Sequence, residues 1–225
     1  MQDDPRLLAP GHFVDSDHPE VIAYARAVVG DASDPHERAA LLFRDVRERL
    51  RYDPYSLSLD PEEYRASTLL HRERGYCVTK AVLLCAAFRA AGLPSRLGFA
   101  DVRNHLASER LRALMGTDLF VFHGYVEVWI DGVPRKATPA FNASLCARFG
   151  VPPLEFDGTQ DALLQPFDGA GRQHMEYVRE RGLFYDLPLE TIFKTFAATY
   201  RRDMIPEGIV DEVFHGDDDG ADAAS

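Results

Sequence analysis

The chain has 225 residues, enough for one domain with a substantial hydrophobic core. Its hydrophobic content of 46% and charged content of 27% are typical of a globular protein. The net charge of -11 disfavours a nucleic acid or an anionic membrane as partner, because both would repel the chain. No apolar run approaches the roughly 20 residues that a membrane span requires.

The cysteine content gives a first indication of the compartment. Cys77, Cys85 and Cys146 form an odd set with no paired spacing. No apolar leader follows Met1, since the first residues are MQDDPR. Together these features favour a reduced protein located in the cytoplasm.

The N-terminal third predicts helices, because helix-start signals recur there. Asp34 is followed by Pro35 and Glu37, which combines an N-cap acid, a first-turn proline and a glutamate three residues after the cap. The sequence DPEE at residues 60–63 repeats this pattern. Apolar residues at three-to-four spacing predict a helix from residue 35 to about 50.

A different kind of helix is predicted after Cys77. Residues 78–91 include only three strongly polar side chains, so this helix is apolar on nearly all sides. Such a helix is typical of the middle of a domain. Gly92 ends it, and Pro94 prevents it from resuming.

The rest of the chain predicts a small sheet. Strand-like stretches lie at residues 96–102, 119–130 and 134–138. Asp131 and Gly132 form a strong hairpin signal between the last two stretches. A short helix is predicted at residues 108–115 and a final helix at about 188–200. Helices followed by an antiparallel sheet, packed on one central helix, indicate the α+β fold class.

We expect a single domain over residues 1–214. Its N-terminal part, residues 17–66, is helical, and residues 143–214 form a C-terminal extension. The last segment, residues 215–225, has the sequence HGDDDGADAAS, which is acidic and lacks apolar periodicity. We expect this tail to be disordered.

Cys77 lies at the predicted start of the buried helix. Unpaired amides and positive potential at a helix N-terminus favour a thiolate and lower the pKa of a cysteine below about 8.5. The same amides can hold the oxyanion that forms when an acyl group is attacked. The alternative is a buried thiol that serves as a small apolar side chain. Cys85, in mid-helix, fits that alternative, and Cys146 carries neither signal.

His123 is the candidate partner of Cys77. In the strand FHGYVEVWI, alternation places Phe122 with the valines on a core face and His123 with Tyr125 on the other face. We therefore expect His123 to point towards the less apolar side, where a cleft can form. A solvated surface histidine is the alternative.

A cysteine–histidine pair usually has a third group that orients the imidazole. With a two-residue hairpin turn, Thr138 is the diagonal neighbour of His123 on the same face. With a four-residue turn, His123 faces Asn142 instead. Either residue can hold a tautomer by hydrogen bonding, but neither can stabilise an imidazolium by charge, because neither is a carboxylate.

Three segments resemble the transglutaminase-like superfamily, of papain-type fold: GYCVTKAVLLCAAFRAAGLPSRLGFADV, HGYVEVWIDG and KATPAFN. The resemblance covers residues 51–142 and implies a papain-like core there, with extra helices at both ends. It also implies Cys77 as nucleophile and His123 as base. The family places an aspartate in a D-P-T-like motif on the next strand. This chain has TPAFN there, typical of a divergent bacterial-type subfamily, so Thr138 takes the position of the acid.

Two functions follow. The first is a cysteine acyl-transfer enzyme in which Cys77 attacks an amide or peptide carbonyl, a thioester forms, and His123 protonates the leaving amine. Hydrolysis is favoured over cross-linking, because no acceptor surface for a second protein is identifiable. The substrate would be a peptide, a protein or a small amide. The alternative is a non-catalytic module that holds a peptide or protein partner, and the missing acid motivates it.

Other chemistries have less support. A metal site formed by His105, His123 and His174 lacks any pair at ligand spacing. Asp101 and Asn104, together with His105, are candidate residues at the rim of a cleft. No phosphate-binding loop occurs, so we expect neither a cofactor nor a metal. The sequence does not define the oligomeric state.

Overall fold

Helix α4 (Cys77–Ala90) lies at the centre of the fold, with helices on one side and a sheet on the other. Its residues from Cys77 to Arg89 are all buried. The computed structural model describes residues 4–105, 109–164, 170–171 and 175–201. The other helices in these ranges are α1 (Pro19–Val29), α2 (Pro35–Arg49), α3 (Ala66–Leu69), α5 (Glu109–Met115), α6 (Ala143–Phe149), α7 (Leu189–Thr199) and two 3-10 turns (Pro5–Leu7 and Pro61–Tyr64).

An antiparallel sheet covers the other side of α4. The strands of the described chain are β1 (Arg51–Tyr52), β2 (Arg74–Gly75), β3 (Ser95–Asn104), β4 (Leu119–Ile130), β5 (Val133–Ala137) and β6 (Met175–Phe184). The sheet has the order β5-β4-β3-β6, and β1 pairs with β2 in parallel. Val126 and Val128 are buried on the same side of β4 as Gly124, which touches α4. The expected α+β fold with a central buried helix is confirmed.

The β4–β5 hairpin has the predicted two-residue turn. Asp131 and Gly132 have φ angles of 50° and 81°, as both central residues of a type I′ turn require. Ile130 pairs with Val133 across the turn. The alternative of a four-residue turn is therefore wrong.

Most predicted helices are observed, whereas the short strands β1 and β2, strand β6 and helix α6 were missed. The helices expected at residues 35–50 and 188–200 correspond to α2 and α7, and residues 109–115 form α5. Strand β6 was missed because it is an edge strand with the charged sequence MEYVRERGLF, most of it exposed. Helix α6 was missed because seven residues are too few to show a clear period.

Two buried polar side chains hold the C-terminal end of α2. Lys80 on α4 donates its Nζ to the carbonyl oxygens of Arg47 (2.8 Å) and Leu50 (2.7 Å). Asn142 donates Nδ2 to the Leu50 oxygen (3.1 Å), and its Oδ1 accepts from the Tyr52 amide (2.6 Å). These bonds satisfy carbonyls that a helix end leaves unpaired. Burial lowers the pKa of Lys80 to about 7. Helices α2, α4 and α6 are thus joined at one point.

The described residues include no helix that is both long and apolar enough to cross a membrane. The expected disordered tail, residues 215–225, lies outside the described residues. The division into one domain over residues 1–214 stays a prediction.

We expect Asn142→Ala to lower the free energy of unfolding by about 1–3 kcal/mol, because it leaves buried backbone groups without partners. Urea denaturation monitored by circular dichroism would measure the change. Thr191→Ala, at an exposed position of α7, is the control and should change the free energy of unfolding by less than about 0.5 kcal/mol. Equal effects of the two substitutions would contradict the role of Asn142.

Candidate active site

Cys77 is the first residue of α4, as predicted, and local hydrogen bonds fix the turn before it. Thr79 Oγ1 accepts from the Tyr76 amide (3.0 Å) and donates to the Tyr76 carbonyl (3.1 Å). Gly75 leaves room for this bond, since a Cβ at that position would lie 2.7 Å from Thr79 Oγ1. The sequence GYCVT therefore builds the helix start that presents the thiol.

Strand β4 meets the first turn of α4 at Gly124. A Cβ at this position would lie 2.9 Å from the Cys77 carbonyl oxygen and 3.2 Å from Val78 Cα. The backbone amides of Gly124, Val78 and Cys77 lie close enough to the Cys77 sulfur to act on its pKa in the lowering direction. The hairpin register places Pro139 opposite Gly124, where a proline cannot complete the pair, and the ladder with β5 ends before this position.

The Cys77 thiol is protonated at neutral pH. Burial raises its pKa to about 11, and only 7% of the residue is exposed. The amide contacts and the charge of Lys80 act in the opposite direction but do not outweigh desolvation. The expected low pKa at the helix N-terminus is therefore wrong, because helix-end amides favour a thiolate less than loss of water disfavours it.

A bulge in β4 sets the position of His123. Val121 and Phe122 together oppose Asp101 of β3, and Phe122 has a φ of 54°. Asp101 accepts from the Phe122 amide (3.1 Å) and forms an ion pair with Arg181 (2.8 Å). Asp101 is only 3% exposed, so it lies beneath the bulge and not at the rim of a cleft as expected.

His123 is buried, with 1% of its surface exposed, so the alternative of a solvated surface histidine is wrong. Apolar residues, among them Ala140, Phe141 and Leu154, line the same small cavity as His123. Burial lowers the pKa of His123 to about 4. The imidazole is therefore neutral at pH 7.

The His123 ring lines two cavities. The larger has a volume of about 180 Å³ and is bounded by Tyr52, Phe141 and other apolar side chains. The smaller, of about 10 Å³, is shared with Thr138. Among the described residues, His123 Nε2 and Thr138 Oγ1 are both buried without a hydrogen-bond partner. Asn142 binds the end of α2 instead, so the alternative in which it orients His123 is wrong.

Gly124 contacts the first turn of α4 at Cys77 and directly follows His123 in the chain, so it links the two candidate residues along the backbone. Sequence reasoning missed Gly124 and Lys80. Both carry a signal, since Gly124 is a glycine within a strand and Lys80 is a lysine within an otherwise apolar helix. Cys146 lines the larger cavity, a role that no sequence pattern indicated.

Two of the three histidines considered as metal ligands, His105 and His123, lie in the part of the chain that the structure describes. In the part of the chain that the structure describes, no group of three His, Cys, Asp or Glu side chains could hold a metal ion. His105 pairs with Glu176 at 3.0 Å, and Asn104 lines the larger cavity. His174 lies outside the described residues.

Comparison with protein families identifies the chain. The family model described as the transglutaminase-like superfamily matches residues 22–134, which is half of the sequence. The chain belongs to the transglutaminase-like superfamily. The matched range includes Cys77 and His123 and ends before Thr138. This superfamily membership supports a cysteine-type enzyme family.

Three solved structures are similar to this transglutaminase-like chain. A candidate cysteine protease from Cytophaga hutchinsonii has 18% identity and a TM-score of 0.48, with 81% of this chain and 55% of that chain covered. A candidate protease from Parabacteroides distasonis has 20% identity and a TM-score of 0.39, with 60% and 24% covered. The periplasmic domain of TgpA from Pseudomonas aeruginosa has 22% identity and a TM-score of 0.42, with 60% and 47% covered.

The chain thus spans at most 55% of the length of these three structures. No curated protein matches the sequence.

We expect Gly124→Ala to lower the free energy of unfolding by about 1–3 kcal/mol, because a methyl group cannot fit against the first turn of α4. Separation of the strand from the helix should also expose Cys77 and increase its rate of alkylation by iodoacetamide several-fold. Peptide mapping by mass spectrometry would measure that rate at Cys77.

Gly30→Ala is the control for this experiment. Gly30 has a φ of 53° with no atom within 4 Å of an added Cβ, so alanine strains only the backbone. It should destabilise the protein without changing the reactivity of Cys77. Unchanged reactivity in Gly124→Ala would contradict the proposed contact.

Proposed function

We propose that the chain is a cysteine acyl-transfer enzyme that hydrolyses an amide or peptide bond. Cys77 is the nucleophile and His123 the general base. The observation that carries this proposal is the close approach of Gly124 to the first turn of α4 at Cys77, which also puts the Gly124 amide near the sulfur. It brings together a thiol, backbone amide donors and the chain neighbour of a buried imidazole.

The reaction begins from a neutral thiol and a neutral imidazole. As Cys77 Sγ forms a bond to the carbonyl carbon of the substrate, its proton passes to His123. The carbonyl oxygen becomes an oxyanion, and the amides around the sulfur are suitable donors for it. Charge therefore develops only during the attack, in a site where burial disfavours charged resting groups.

The second half of the reaction returns the site to its starting state. The imidazolium of His123 donates its proton to the leaving amine as the carbon–nitrogen bond breaks, which leaves a thioester on Cys77. Water then attacks the thioester carbonyl and gives its proton to His123. The carbon–sulfur bond breaks, the sulfur regains that proton, and a carboxylic acid is released.

The closed geometry favours water over a protein amine as the second nucleophile. Cys77 is 7% exposed and His123 is 1% exposed, so an acyl group must displace part of the cavity wall to reach the sulfur. A water molecule is small enough to enter through the opening that the acyl group makes. A lysine side chain on a second protein would need a further opening, which supports hydrolysis over cross-linking.

A second candidate function is a binding module that retains the fold without catalysis. The neutral states of Cys77 and His123 favour it, because many cysteine nucleophiles depend on a lowered thiol pKa. Thr138, which cannot stabilise an imidazolium by charge, favours it as well. Such a module would hold a peptide or protein partner in the larger cavity.

A cytoplasmic location remains part of the proposal. Its support is that Cys77, Cys85 and Cys146 form no disulfide bond with one another, and reduced cysteines are usual in that compartment.

The test is release of p-nitroaniline from a panel of N-acetyl dipeptide p-nitroanilides. We expect Cys77→Ala to lower kcat/KM by at least about 10³-fold and His123→Gln by about 10²–10⁴-fold. Cys85→Ala is the matched control and should retain activity, since Cys85 lies in mid-helix away from the site. Equal activity of wild type and Cys77→Ala would contradict the enzyme and favour the binding module.

The same assay separates the two acyl-transfer outcomes. With added glycinamide, we expect the free acid as the main product, identified by mass spectrometry. A main product in which the acyl group is joined to glycinamide would overturn the hydrolytic part of the proposal.

A further inference from the structure

The larger cavity, which His123 lines, has a largely apolar wall. Aromatic side chains form much of its wall: Tyr52, Tyr55, Phe120, Phe141 and Phe149. None of the described residues that line it carries a carboxylate, an ammonium or a guanidinium group. The chain as a whole has a net charge of -11, so this apolar lining is a local feature.

The cavity adjoins the reactive pair. His123 forms part of its wall, and so does Tyr52, whose pKa is raised by burial and by the nearby Cys77. The Tyr52 ring stacks edge-to-face on Phe141 at 4.9 Å between ring centroids, which fixes this wall. A group bound in the cavity therefore lies against His123, the candidate base.

The volume limits what can bind. An apolar cavity of about 150 Å³ accommodates benzene in other proteins, and this cavity has about 180 Å³. A phenyl or branched aliphatic side chain therefore fits. A charged side chain would lose its water without gaining an ion-pair partner, which is unfavourable.

We infer that the cavity is a specificity pocket for a large apolar side chain of the substrate, of the phenylalanine or leucine class, next to the bond that is cleaved. The cleavage itself rests on the proposed function, whereas binding of the apolar group does not. Because the pocket would bury this side chain, we expect kcat/KM to be roughly 10–100-fold higher for a substrate with an apolar side chain than for one with a charged side chain.

The first experiment measures binding without catalysis. In Cys77→Ala, saturation-transfer NMR should show that N-acetyl-phenylalaninamide binds at least about 10-fold more tightly than N-acetyl-lysinamide. Leu145→Asp places a carboxylate in the lining and should reverse this preference. Ser144→Asp is the matched control, because it adds the same charge at an exposed position outside the lining and should leave the preference intact.

The outcomes separate the pocket from the enzyme. Tight binding of the phenylalanine compound with no hydrolysis by wild type would support the pocket and overturn the proposed reaction. Hydrolysis that is equally fast for phenylalanine and lysine substrates would overturn the pocket and leave the reaction standing. A Ser144→Asp effect as large as that of Leu145→Asp would also overturn the pocket.

The smaller cavity carries an independent inference about the third group. Its volume of about 10 Å³ is close to the roughly 10–15 Å³ that one water molecule needs. His123 and Thr138 line it, its other walls are apolar, and His123 Nε2 and Thr138 Oγ1 are both buried without partners among the described residues. Buried polar atoms of this kind are usually hydrogen-bonded.

The geometry points to one water molecule that bridges His123 Nε2 and Thr138 Oγ1. The Nε2–H group donates to the water, and the water donates to Thr138, which makes Nδ1 the basic nitrogen. Thr138 is then a positioning residue that acts through water. It fixes the tautomer of His123 without supplying a charge.

A high-resolution crystal structure of the wild type should show this water within hydrogen-bond distance of both atoms. Thr138→Asp should raise the pKa of His123 above about 4, measured by NMR of the labelled imidazole, because a carboxylate stabilises the imidazolium. Thr138→Asn introduces a side chain of the same shape as aspartate but without its charge, and it should leave the pKa of His123 low. A dry cavity, or equal pKa values in the two variants, would overturn the inference.

Discussion

The close approach of β4 to the first turn of α4 is the constraint on which the site depends. It is possible only because Gly124 has no Cβ, which would otherwise lie 2.9 Å from the Cys77 carbonyl oxygen. The same approach brings a backbone amide to the sulfur and places His123 one residue away. The helix side of the contact is held by the Thr79 cap, and the strand side by Asp101 beneath the bulge.

Desolvation governs the electrostatics of this contact. It raises the pKa of Cys77 to about 11 and lowers the pKa of His123 to about 4, so both residues are neutral at pH 7. Because the pKa of His123 is lower in the folded chain than in the unfolded chain, stability depends on pH. Between pH 6.5 and 4 the unfolded chain protonates His123 while the folded chain does not, so stability falls as the pH falls through that window. A neutral, apolar site of this kind suits a substrate that is itself uncharged near the reacting bond.

Much of the fold was predictable from the sequence because the signals are local. Apolar content on all sides marked α4 as central, and Asp131 with Gly132 fixed the hairpin register that makes Thr138 the diagonal neighbour of His123. The junction formed by Lys80 and Asn142 was not predictable, because its partners are separated by 30 residues or more along the chain. The pKa of Cys77 was predicted with the wrong sign, since a helix start is visible in a sequence but the packing that removes water from it is not.

The rate of Cys77 alkylation by iodoacetamide as a function of pH tests this account most directly. Only the thiolate reacts, so a thiol with a pKa of about 11 should react slowly at pH 7. The rate should then rise about tenfold per pH unit without a plateau below pH 10, as follows from the fraction of thiolate. A plateau reached at neutral or acid pH, and lost in His123→Gln, would show a thiolate–imidazolium pair at rest and would contradict the neutral site.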